Sequence, residues 1–284
     1  MPPTGPIALI LGATRGIGRA LVPRLAADLG PGATVYATAR NQDDADRLAG
    51  ELAGEGCRAD VLLFDLADPA APEQIAAQVR TRHGGVDIVI QNGAAMPRPG
   101  VPAAEDARPM IAANCHGTLR VLRAFLPILN PNGRLLIVAS GMGRLDRLPE
   151  ALRARFHAHD GAPERILAVM DAYVAAMEAG VDEGWPEWVN IPAKVGQVAI
   201  TRAFARAARR DGLLPEGALI NAVCPGVTLT DATRGFMGSV FRAEDAQTPE
   251  QAAVALAALA LLPAGMQAPY GELVQFGRVL PFGD

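Results

Sequence analysis

The sequence predicts an α/β protein built on a doubly wound parallel sheet of about seven strands, and three observations carry that expectation. Short, wholly apolar runs recur along the chain, as strands buried on both faces require. Helical patterns alternate with them. The first run leads directly into a glycine-rich turn that opens a helix.

Ile7-Ala8-Leu9-Ile10-Leu11 is the first expected strand, and Thr34 to Thr38 is the second, followed by a polar helix from about Gln42 to Gly54. The third, Ala59 to Phe64, closes on Asp65, with a helix from about Pro72 to Arg82. Ile88 to Ile90 is the fourth, Glu105 to Leu129 reads as one long helix, and Arg134 to Ser140 is the fifth. Leu219 to Cys224 and Glu272 to Phe276 complete the set. Gly141 to Gly184 breaks the alternation with two helices, Leu148 to Ala158 and Pro163 to Ala179, and no strand. It reads as an insertion over the edge of the sheet where ligands bind. With no linker, repeat or low-complexity tract, residues 1–284 are expected to form one Rossmann-like domain.

Half of the 284 residues are apolar and the net charge is -4, so no basic stripe marks a nucleic-acid surface. The arginine-rich stretch Arg202, Arg206, Arg209 and Arg210 reads as the solvated face of a helix. Cys57, Cys115 and Cys224 are scattered, which argues for a reducing compartment and against disulfides or zinc. Met1 to Pro6 is a short polar lead-in without a leader pattern, and the apolar stretch Ala252 to Leu262 is too short to span a membrane. A cytoplasmic location is the expectation.

Gly12-Ala13-Thr14-Arg15-Gly16-Ile17-Gly18 follows the first strand. Glycines there let the backbone turn sharply against a pyrophosphate, and the helix start supplies free N–H groups. A purely structural turn would also be glycine-rich; the position on the first strand–helix junction favours a cofactor. The second strand ends Thr38-Ala39-Arg40 with no carboxylate to bind a ribose 2′-hydroxyl. Arg15 and Arg40 instead suit a 2′-phosphate, so NADP(H) is the expected cofactor unless both are plain surface arginines.

These residues resemble the short-chain dehydrogenase/reductase family over essentially the whole chain. Gly12-x3-Gly16-Ile17-Gly18 is similar to its glycine motif, and Asp65, with Leu66 beside it, to the acid that contacts the adenine. Asn92-Gly93-Ala94 falls on the fourth-strand motif, altered here at Gln91. Asn114 matches the helix asparagine that supports the proton-relay water and the lysine, and Ser140 matches the catalytic serine. Pro225-Gly226-Val227-x2-Thr230 matches the loop that closes over the nicotinamide. The insertion ending Gly184-Trp185-Pro186 further resembles the monomeric carbonyl reductases of that family. The resemblance implies a small-molecule carbonyl-type substrate, and a monomer in which the Leu148 to Ala179 insertion covers the helices through which other members pair.

One departure bears on the chemistry. The Tyr-x3-Lys motif falls at Asn190-Ile191-Pro192-Ala193-Lys194, so Lys194 is in place but Asn190 holds the position of the tyrosine. A carboxamide is no acid, and losing a positioned proton donor costs about 10²- to 10⁴-fold. Asn190 and Ser140 can still donate hydrogen bonds to a developing oxyanion, which suits activated ketones, quinones or enones, with Lys194 or a water held by Asn114 supplying the proton. The other reading is a cofactor-binding protein without redox turnover, acting as a sensor, partner subunit or non-redox catalyst. Tyr173, in the insertion, is a further candidate to replace the phenol. His157 and His159 read as residues of a surface helix, His83 as a helix-end residue and His116 as a packing residue.

Overall fold

Ile7–Leu11 (β1) is buried at all five positions, as an apolar run covered on both sides by helices must be. The computed structural model describes residues 5–157, 161–181 and 183–283. After β1 the chain runs through α1 (Gly16–Leu29), β2 (Thr34–Ala39), α2 (Gln42–Gly54), β3 (Asp60–Leu63), α3 (Ala71–His83) and β4 (Val86–Gln91). Then come α4 (Ala103–Ile111), α5 (Thr118–Phe125), β5 (Leu129–Val138), α6 (Glu150–His157), α7 (Pro163–Glu178) and α8 (Asn190–Arg210). The last part holds β6 (Leu219–Val223), α9 (Asp231–Arg234), α10 (Pro249–Ala260), β7 (Leu273–Gln275) and β8 (Arg278–Leu280).

The strands lie in the order β3-β2-β1-β4-β5-β6-β7-β8, parallel throughout except for β8. Side chains alternate between two cores: Ile7, Leu9 and Leu11 enter one, and Ala8 and Ile10 the other. Strand order reverses between β1 and β4, the point where a doubly wound sheet opens a crevice at its carboxyl edge.

The expected architecture is observed, with four local differences. An eighth strand is present: β8 folds back on β7 through Phe276 and Gly277, both at positive φ (47° and 74°), the geometry of a tight hairpin turn. The expected single helix over Glu105 to Leu129 is divided by a wider, π-type turn at Ala112–Gly117. It ends in a short 3₁₀ turn before β5 begins at Leu129. The fifth strand stops at Val138, so Ser140 stands beyond it and caps a short turn, its Oγ accepting from Met142 N at 3.2 Å.

The arginine stretch of α8 is also not uniformly solvated. Arg202 is buried, pairs with Glu272 at 2.6 Å and lies over the Phe282 ring. Arg209 stacks on Tyr270 with its guanidinium carbon 3.6 Å from the ring centre. Arg210 is exposed and pairs with its neighbour Asp211. His116 bonds Asp171 across to α7 and His83 bonds the Tyr36 hydroxyl, while His159 lies outside the described residues.

Of the insertion, α7 packs against α4 and α8. Tyr173 is fully buried there against Trp185, ring centres 4.8 Å apart, with its hydroxyl unpartnered. Burial pushes that phenol upward, away from useful acidity, and Tyr173 does not line the cavity described below. It therefore does not replace the missing phenol. Among the described residues, no helix is long and apolar enough to cross a membrane.

Candidate active site

The glycine turn is held by its neighbours before any ligand arrives. Gly12 has φ 88°, a conformation that favours glycine. Its N–H donates to Thr38 Oγ1 at 2.8 Å, and its carbonyl accepts from Asn92 Nδ2 at 2.8 Å. Gly18 is required by close approach: a Cβ there would lie 2.0 Å from Gly12 O and 2.6 Å from Asn92 Nδ2. Gly18 thus shapes the turn without lining the cavity. Arg15 takes the capping position of α1 but makes no side-chain cap, so the first-turn N–H groups stay available to a phosphate.

From this turn a cavity of about 770 Å³ extends along the carboxyl edge of the sheet. One end is lined by Thr14, Arg15, Gly16, Ile17, Arg40, Asp65 and Leu66, and Gly93 forms part of its floor. Arg15 and Arg40 are exposed and neither forms an ion pair among the described residues. The other end is lined by Ser140, Asn190, Lys194, Pro225, Gly226, Val227 and Thr230. The loop carrying the last four closes down on the turn, since a side chain at Gly16 would meet Thr230 Cγ2 at 3.1 Å. Met96, Met142 and Phe241 add an apolar wall, and Trp188 packs against Phe236 at a tilt and against Phe241 edge-on, with ring centres 5.6 and 6.1 Å apart.

Asn190 and Lys194 begin α8 four residues apart, hence on one face of the helix. Pro192 is tolerated between them because first-turn N–H groups have no partner within the helix. Lys194 is 4 % exposed, and burial pulls its ammonium down from 10.5 to about 8. Its Nζ donates to Gln197 Oε1 at 2.8 Å. Asn190 is also buried; its Nδ2 lies 3.7 Å from Met142 Sδ and its Oδ1 has no donor.

A family model described as short chain dehydrogenase matches residues 6–151, just over half of the chain. The chain belongs to the short-chain dehydrogenase family. Among curated relatives, carbonyl reductase [NADPH] 1 of Rattus norvegicus is 28% identical over 284 residues, covering 98% of each chain. Carbonyl reductase [NADPH] 3 of the same species is 29% identical over 275 residues, covering 95% of each. In three dimensions the chain is similar to salutaridine reductase from Papaver somniferum, with a TM-score of 0.79 and 21% identity over 94% of this chain and 99% of that one.

In this short-chain dehydrogenase the Asn114 side chain is committed to the main chain of the segment after β4. Its side chain is spent on one residue, Oδ1 accepting from Ala95 N at 2.8 Å and Nδ2 donating to Ala95 O at 2.9 Å. Fully buried, it does not line the cavity, and its side chain holds the segment after β4. Sequence reasoning missed Met142, whose main chain touches Ser140 and whose sulfur touches Asn190. It also missed Cys224, whose Sγ accepts from Gly141 N at 3.0 Å beside the serine, with its thiol pushed up by burial. Gln197 was missed as well, since a lone amide in an apolar helix carries no spacing signal.

Proposed function

We propose that this chain is an NADPH-dependent reductase of a carbonyl-type substrate, an activated ketone, quinone or enone, that uses Ser140, Asn190 and Lys194 in place of a tyrosine-based acid. The observation that carries the reading is the single cavity that joins the glycine turn and Arg40 to those three residues. The residues fit the cofactor: Gly12 and Gly18 admit the close backbone turn, the uncapped N-terminus of α1 would receive a pyrophosphate, and two guanidiniums without ion pairs among the described residues suit a 2′-phosphate. Asp65 and Leu66 line the adenine side. Thr14, Ile17, Asn92, Gly93 and the Pro225 to Thr230 loop would hold the rest. Two relatives that carry NADPH in their names support the same choice.

When bound, NADPH supplies a hydride to the electrophilic carbon. The protein then has to meet the charge left on the substrate oxygen. Ser140 Oγ accepts from Met142 N, which leaves its proton free to donate. The Asn190 nitrogen leans only on a thioether sulfur, a weak acceptor, so it can turn an N–H toward an oxyanion. Lys194, with its ammonium lowered to about 8, is the one group of the three able to release a proton near neutral pH. Substrates whose reduced form is a stabilised anion place the least demand on that donor.

We further propose that residues 1–284 work as one NADP-binding unit, as a monomer in the cytoplasm. The packing of α7 over α4 and α8 supports the monomer, and three unpaired cysteines suit a reducing compartment. A stable dimer in a sedimentation measurement would refute the monomer.

Asn190 also favours a second reading, a cofactor-binding protein without turnover. NADPH oxidation screened over ketones, quinones and enones, for the native protein and for Asn190→Tyr, separates the two. Oxidation with an activated acceptor by the native protein, extended to simple ketones by the variant, supports the reductase. NADPH binding with no oxidation by either protein supports the second reading.

A further inference from the structure

Lys194 is the one lysine of the sequence; the other side chains counted among its 26 Lys and Arg residues are all arginine. A chain that uses guanidinium at every other such position uses an amine only here. The two cations differ in a way that matters at this place: the amine is compact and can lose its proton, whereas the guanidinium is a wide fork that stays charged. Buried at 4 % exposure, this ammonium needs an acceptor, because an unpaired buried charge is costly.

Two carboxamides share its face of α8, Asn190 one turn before and Gln197 one turn after. The ammonium bonds the second, at 2.8 Å, and the Asn190 oxygen is left without a donor. Lys194 can only donate, so Gln197 must present Oε1 to it and turn Nε2 away. That nitrogen donates to Thr118 Oγ1 on α5 at 3.2 Å. Thr118 Oγ1 also accepts from Gln91 Nε2 at the end of β4, at 2.9 Å. Gln91, which reads in the sequence as a departure from a motif, is the far anchor of this line. All four side chains are buried, so the line links strand, helix and ammonium without solvent. The remaining titratable groups facing Lys194 are the Cys115 and Cys224 thiols, both pushed up by burial and so neutral near pH 7.

We propose that Gln197 is a positioning residue of the site: anchored through Thr118 to Gln91, it fixes where the Lys194 ammonium sits and how readily that ammonium gives up its proton. The functional weight of this role rests on the reductase reading; the placement of the ammonium does not. Removing the acceptor destabilises the charged form, and replacing it with a carboxylate stabilises that form.

A single lysine makes the test direct. Protein labelled with ¹⁵N and ¹³C in lysine gives one side-chain signal, followed without cofactor as pH rises through about 8. Gln197→Val is expected to move the midpoint down by about one pH unit, and Gln197→Glu to move it up by about as much. The pH dependence of NADPH binding should shift in the same two directions. Midpoints unchanged in both variants, or moved the same way in both, overturn the proposal. Should Gln197→Val fail to fold, Gln197→Glu decides alone: a midpoint that does not rise overturns it. A protein that shows these shifts yet oxidises no NADPH refutes the reductase reading and leaves Gln197 in its role.

Discussion

Removing Arg40 and Arg15 should erase the preference for NADPH over NADH while leaving NADH binding nearly intact. Arg40 follows β2 and Arg15 opens α1; both line the cavity, and neither has a carboxylate partner to break first. Both are exposed, so a contact with a 2′-phosphate is charge-assisted but partly screened. That places the loss at about tenfold in NADPH affinity for each arginine, well short of what a buried pair would cost. NADH lacks the phosphate and should change by less than about twofold. Because the Debye length is about 10 Å at 0.1 M salt, raising ionic strength should shrink the NADPH advantage of the native protein and leave the double variant almost flat. Fluorescence titration of both nucleotides against the native protein, Arg40→Ala, Arg15→Ala and the double variant measures all of this. Equal affinity of the native protein for NADPH and NADH, or an unchanged ratio in the double variant, would refute the reasoning.

Lys194→Ala should abolish turnover of an activated acceptor, while Ser140→Ala lowers kcat by about 10- to 10³-fold, the scale of one oxyanion donor. Steady-state kinetics compare them, and a larger loss at Ser140 would contradict the assignment. Stability should also report on Lys194, whose folded value of about 8 lies below its ordinary 10.5. Between those two values the unfolded chain binds more protons than the folded one, so stability gains with pH across that window and is flat from this source below it. Denaturant melts of the native protein and Lys194→Met should therefore diverge in favour of the native protein from about pH 8 upward, by up to about 3 kcal/mol; parallel curves would refute the shift. Arg134 is buried in the middle of β5, where its guanidinium donates to the carbonyls of Asn132, Gly133, Gly217, Leu262 and Pro263. Arg134→Leu strands those acceptors and should cost at least about 3 kcal/mol, read as a lowered Tm.

What was legible in the sequence was what backbone geometry dictates. The glycine turn had to be glycine at Gly12 for its φ and at Gly18 for its approach to Gly12 O, so its spacing announced a turn of one shape. The apolar runs revealed a sheet covered on both faces for the same reason. What stayed hidden depends on partners distant in the chain. Arg202 looks like a surface residue among alanines until Glu272 and Phe282 are brought beside it. Gln197 looks like a tolerated amide until Thr118 and Gln91 arrive from two other elements. Asn114 was found by pattern, but its engagement with Ala95 is a matter of loop path that no motif encodes. The π-type turn at Ala112–Gly117 shifts a hydrogen-bond register without changing composition, and β8 is only three residues long, too short for any periodicity.

The two tryptophans differ in a way that gives the molecule a built-in optical probe. Trp185 is enclosed with Tyr173 and Phe156 in the core beneath the insertion, remote from any change of solvent. Trp188 is half-buried and rests on Phe236 and Phe241, the second of which lines the cavity. Emission from Trp188 overlaps the absorption band of a reduced nicotinamide, and its wavelength follows the polarity of the surroundings of the half-buried indole. Trp185→Phe would leave one emitter at the cavity wall, and the arrival of cofactor and of substrate could then be followed separately, by energy transfer for the first and by spectral shift for the second.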